Sequence, residues 1–160
     1  LVQLEKTEDQ ARRYNTNMRR VFSGVKKFKK VVPRRSNDIL GDVGYSLIFF
    51  AENKELAGKL AEALRAEGVD AGARGTKAAR DWHIYAYWEH ILEKKTPSPE
   101  GCPFTCPYYK GKLPHYSADM CPNTLDLVDR ALHIWINQWW NEEDCRNVAG
   151  AINKVFSVYC

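Results

Sequence analysis

The string Tyr45-Ser46-Leu47-Ile48-Phe49-Phe50 is apolar at nearly every position. A strand with one wet face alternates apolar and polar residues, whereas a strand inside a structure runs apolar throughout. The run therefore reads as an interior strand, and the rest of the chain must supply its neighbours and its cover. A helix follows directly. Asn53 is a capping residue, Leu56, Leu60, Ala63 and Leu64 form a buried stripe, and Gly68 suits the left-handed residue that ends a helix.

The same rules place the other elements. Leu1, Leu4, Ala11, Tyr14, Met18, Val21 and Phe22 keep helical spacing, predicting an amphipathic helix from residue 1 to about Gly24. No capping residue precedes Leu1, so the chain is expected to begin inside a helix, as a fragment, a processed product or half of a split protein. Residues 25–44 read as a connection, Val69 to Arg74 as a short strand, and residues 82–88 as a strand or irregular stretch leading into a short helix through Leu92. Six prolines between residues 96 and 123 predict a long structured loop. Asn123 or Thr124 then caps a helix with Leu125, Val128 and Leu132 inward, and Leu132 to Ile136 alternates as a strand. Asn141 opens the last helix, whose acidic first turn, Glu142, Glu143 and Asp144, suits the positive end of the helix dipole. Val148, Ile152, Val155 and Phe156 face inward from it. The expected class is α/β: a small sheet with helices mainly on one face and a long N-terminal helix.

At 160 residues there is room for one compact domain and little more. The net charge of +4 is local, because Lys26, Lys27, Lys29, Lys30, Arg34 and Arg35 lie within ten residues and the remainder is slightly acidic. Only Phe28 accompanies that strip and Pro33 interrupts it. It reads as a solvated loop before an anion-binding strip, and no nucleic-acid partner is expected. Five cysteines cannot all pair, which favours a reducing compartment. No apolar run reaches the ~18 residues of a membrane span, and no signal peptide opens the chain. A cytoplasmic protein without a membrane partner is expected.

Chemistry concentrates between Trp82 and Leu92, where four aromatic rings and two imidazoles share eleven residues. Aromatics bury much area and keep polar edges; histidine changes charge near neutral pH. The segment either plugs a core or lines a site. Cys102, Cys106, His115 and Cys121 have zinc-ligand chemistry but poor spacing, and packing residues in a proline-rich loop are the simpler reading. Arg130 is a candidate for a carboxylate or for an ion pair with Asp126. Trp139-Trp140 is either an exposed aromatic contact or the cover of a helix N-terminus. No nucleophile signature, phosphate-cradling glycine loop or metalloprotease helix occurs, so no catalytic residue and no metal are assigned.

Several strings carry a resemblance. Tyr45 to Phe50, Trp82-His83-Ile84-Tyr85 with Trp88 to Leu92, Tyr116 to Leu127, and Glu142-Glu143-Asp144-Cys145 are similar to the C-terminal small domain of the DegT/DnrJ/EryC1/StrS aminotransferases. The closest branch includes glutamine:scyllo-inosose aminotransferases. The resemblance implies a small domain of a fold-type-I, pyridoxal-phosphate-dependent enzyme, with residues 1–24 as a linking helix and 25–160 as the small domain. It implies amino transfer from glutamine or glutamate to a keto-sugar or keto-cyclitol, in an oligomer. His83, Tyr85, Trp88 and, more weakly, Arg130 would then bind substrate. Pyridoxal 5'-phosphate and its Schiff-base lysine would come from a large domain, because no lysine here sits in the family's lysine motif. The alternative is a non-catalytic ligand- or protein-binding module that kept the fold; the departure from the family's proline-bearing segment at Asn137 to Trp140 motivates it.

Overall fold

The structure is a computed structural model and describes residues 2–73 and 82–160. The described residues divide into two compact units, one of residues 2–73 with 127–160 and one of residues 82–126.

The first unit is the α/β layer. In chain order it holds α1 (Val2–Gly24), β1 (Val31–Pro33), β2 (Ser46–Ala51), α2 (Lys54–Ala66), β3 (Ala71–Ala73), β4 (Ala131–Trp135) and α5 (Glu142–Tyr159). The sheet order is β1-β2-β4-β3, with every neighbour antiparallel. The apolar run at 45–50 is central, as its composition demands. β2 pairs with β1 through Val31↔Ala51 and with β4 through Leu47↔Ile134 and Phe49↔Leu132. Leu47, Phe49, Leu132 and Ile134 are buried with Leu60 and Leu64 of α2 and Ile152 and Phe156 of α5. Phe156 meets Phe49 and Phe28 edge-on, with ring centroids 5.4 and 5.5 Å apart, the geometry that aromatic quadrupoles favour. The expected fold class, a small sheet with covering helices and a long leading helix, is the one observed.

Helix ends follow local chemistry. Asn53 accepts from the Leu56 amide, and Gly68 at φ 81° closes α2. Asn141 and Asp144 form a reciprocal capping box on α5. α1 packs along α5, where Gly24 lets the helices approach: a Cβ there would lie 2.9 Å from the Ala149 Cβ. Asn17, 3% exposed, donates from Nδ2 to the Asn137 and Trp140 carbonyls, both at 3.0 Å. This side chain ties the leading helix to the loop between β4 and α5.

Four expectations are corrected. The connection at 25–44 contains β1, an edge strand of three residues that its flanking lysines and Pro33 disguise; pairing with β2, not propensity, makes it a strand. α4 (Pro122–Arg130) begins before Asn123, since proline is preset for a helix's first turn. Leu132 belongs to β4 rather than to that helix, because the chain enters the sheet at Ala131. The strand at 69–74 is shorter, Ala71–Ala73, and Arg74 lies outside the described residues.

In the second unit, residues 82–88 form a 3₁₀ turn at Tyr85–Tyr87 followed by α3 (Glu89–Leu92). The proline-rich stretch is a loop held by its own hydrogen bonds. Gly101 takes φ 77° and accepts from the Thr105 amide at 2.8 Å. Thr96 donates its hydroxyl to the Cys102 carbonyl, and Phe104 packs edge-on to Tyr116. No helix among the described residues is long and apolar enough to cross a membrane.

Candidate functional site

Within the second unit the aromatic segment is built around Tyr85. Its hydroxyl donates to the Ala118 carbonyl at 2.9 Å and accepts from the Cys121 amide at 2.9 Å. It staples the 3₁₀ turn to residues 118–121 and commits its one proton there. Trp88 donates its indole N–H to the Trp82 carbonyl at 2.6 Å, while Trp88 and Trp82 remain 38% and 58% exposed. Ile84 alone in the turn is buried. The segment thus combines one buried aliphatic anchor with outward indoles. His83 is exposed and has interactions of its own.

The sequence-derived substrate residues do not share one unit. His83, Tyr85 and Trp88 belong to the second, whereas Arg130 belongs to the first and donates to the Ala51 carbonyl at the end of β2 at 2.9 Å. Arg130 has further interactions of its own.

The cysteines do not converge on a metal. Among the described residues no three of His, Cys, Asp and Glu form a group that would hold one, so Cys102, Cys106, His115 and Cys121 make no zinc cage. Cys102 and Cys106 are thiols that interact directly. The Cys102 thiol stabilises the Cys106 thiolate by a hydrogen bond, pulling Cys106 below its ordinary range and pushing Cys102 above it. Burial raises Cys145 and Cys160.

The first unit carries a groove that sequence reasoning saw only in part. Tyr14 of α1, Tyr45, Trp135, Trp139, Trp140 and Asp70 line an open cavity of about 450 Å³. Backbone bonds set its floor: the Trp135 amide donates to the Asp70 carbonyl at 3.0 Å, and the Ile136 amide to that of Tyr45 at 2.9 Å. The Trp135 indole lies against Gly72, where a Cβ would sit 2.8 Å from the ring. Asn137 and Gln138 also line it. Asn137 accepts from the Trp139 amide at 2.9 Å, while the Gln138 Oε1 is buried with no hydrogen-bond partner among the described residues. Arg13 stacks over the Trp139 ring at 4.5 Å and pairs with Asp9 at 2.6 Å. Trp139-Trp140 was legible as a contact. Tyr14, Tyr45 and Asp70 were not, because four separate segments supply the lining; the available signal was Trp135, an aromatic on the outward side of an alternating strand.

No protein-family description matches the sequence, and no curated protein is similar to it in sequence. The fold is similar to a crystal structure of 3-amino-5-hydroxybenzoic acid synthase, with a TM-score of 0.62 and 16% identity. The similarity covers 98% of this chain and 36% of the synthase, so the chain spans about a third of that protein's length. At this identity the likeness establishes the fold.

Proposed function

We propose that this chain is the small domain, or a separately encoded small subunit, of a pyridoxal-phosphate-dependent aminotransferase that transfers an amino group from glutamine or glutamate to a keto-sugar or keto-cyclitol. The observation that carries the reading is the near-complete match of this chain to about a third of the fold of 3-amino-5-hydroxybenzoic acid synthase. The strings at 45–50, 82–92 and 116–127 add support through their similarity to the DegT/DnrJ/EryC1/StrS aminotransferases.

The described residues do not themselves fit the cofactor. Its Schiff base needs a desolvated lysine, yet no described lysine is buried, and Lys54, Lys95 and Lys154 are exposed and ion-paired. On this reading a large-domain chain holds pyridoxal 5'-phosphate, and the exposed indoles of Trp82 and Trp88, with His83, wall the substrate side. Residues 1–24 would link the two parts.

The test mixes the full chain with a large-domain chain carrying the cofactor and follows the cofactor's absorbance as glutamine is added. A complex with a glutamine-dependent spectral change is expected. No complex with cofactor-bearing large domains, together with a stable isolated chain that binds a ligand of its own, would favour the non-catalytic module that Asn137 to Trp140 suggests.

A further inference from the structure

We propose that the groove lined by Tyr14, Tyr45, Trp135, Trp139, Trp140 and Asp70 is a binding site for an organic ammonium ion. Three independent features of the lining point to that chemistry. Five of its side chains are electron-rich rings, three of them well exposed: Tyr45 at 58%, Trp135 at 39% and Trp139 at 70%. Ring faces attract cations, and a group of them around a carboxylate selects alkylated or free ammonium heads. Among the described residues, the one charged lining residue is Asp70, an exposed carboxylate. The one buried side-chain atom there without a partner, again among the described residues, is the Gln138 Oε1, an acceptor that an N–H of a protonated amine would satisfy.

Other ligand classes fit less well. Among the described residues of the lining none is basic, so an anion would meet Asp70 uncompensated; Arg13 lies over Trp139 but is not part of the groove wall, and its partner Asp9 is shared with Arg12. A purely apolar ligand would leave the Gln138 oxygen unsatisfied. A protein surface docking flat would need roughly 800 Å² per partner, whereas this is a concavity within the volume range of small-ligand sites. Arg13 on Trp139 shows that this indole face already accepts a cation. The site lies wholly in the first unit, apart from the aromatic segment at 82–92, and does not depend on the aminotransferase reading.

The test uses the full chain with its tryptophan indole N–H groups labelled for NMR. n-Butylammonium is titrated at constant ionic strength, with n-butanol and butyrate as neutral and anionic probes of the same size. Butylammonium is expected to shift the Trp135, Trp139 and Trp140 signals with millimolar saturation and to leave Trp82 and Trp88 unmoved. Tetramethylammonium, lacking an N–H for Gln138, binds more weakly. Trp139→Ala and Asp70→Asn change exposed side chains, so the fold survives, and each weakens binding about two- to five-fold, the range of an exposed cation–π contact or ion pair. Nα-acetyl-lysine amide separates the sources: tighter binding than butylammonium assigns a peptide lysine, weaker binding a free amine. Butanol shifting the same indoles equally well, no saturable shift with any ammonium, or unchanged affinity in Asp70→Asn overturns the proposal.

Discussion

Replacing Asn17 tests how the leading helix holds the aromatic loop. The side chain is nearly fully buried and donates twice, to Asn137 and Trp140 at 3.0 Å; its Oδ1 accepts from Arg20 over 3.4 Å, too long to count for much. Two neutral hydrogen bonds at about 1 kcal/mol each, with two carbonyls left short of donors, sum to about 2–3 kcal/mol. Alanine is the better helix former by about 0.5 kcal/mol, which offsets part of the loss. Asn17→Ala is therefore expected to lose about 2 kcal/mol in urea unfolding followed by circular dichroism, with the slope against urea unchanged. Asn17→Leu restores volume without donors and should be no more stable than the alanine variant. In both, the Trp139 and Trp140 indole signals should broaden or move. Wild-type stability in Asn17→Leu would mean that volume, not hydrogen bonding, is what the position supplies.

Other consequences follow from particular side chains. Cys106 has its thiol lowered chiefly by the hydrogen bond from Cys102. Iodoacetamide at mildly alkaline pH should therefore modify Cys106 first, and Cys102→Ala should raise its pKa and slow that modification at fixed pH, read by peptide mass spectrometry. Gly44→Ala puts a Cβ at φ 76° and 2.9 Å from the Asn15 Cα, so a loss of about 1–2 kcal/mol or more in urea unfolding is expected. Asn141→Ala removes the acceptor for the Glu143 and Asp144 amides of α5 and should cost about 1 kcal/mol, while Asn141→Ser keeps most of the stability.

The interior strand, both asparagine caps and the inward stripe of α5 were legible because each depends on residues within one element. β1 was not, because a three-residue edge strand exists only through its pairing with β2. The Trp82–Leu92 segment read equally well as strand or irregular chain; Tyr85 decided it by bonding residues more than thirty positions away. That same contact commits the hydroxyl's proton to the Ala118 carbonyl. The groove escaped for a similar reason. Tyr14, Tyr45, Asp70 and Trp135 come from four segments that only the sheet order gathers, and no spacing rule encodes that.

The antiparallel pairing of β3 with β4 brings Ala73 opposite Leu132. The long intervening chain, which includes the second unit, therefore leaves and rejoins the sheet at two neighbouring strands. It behaves as an insertion in a hairpin. Closing such a loop costs chain entropy that grows only with the logarithm of its length, about 0.6 kcal/mol per doubling. The segment holding Trp82, His83 and Tyr85 can thus be lengthened, shortened or exchanged at small cost to the core beneath Phe49 and Phe156. In engineering terms the hairpin is an insertion point, and the segment it carries is exchangeable.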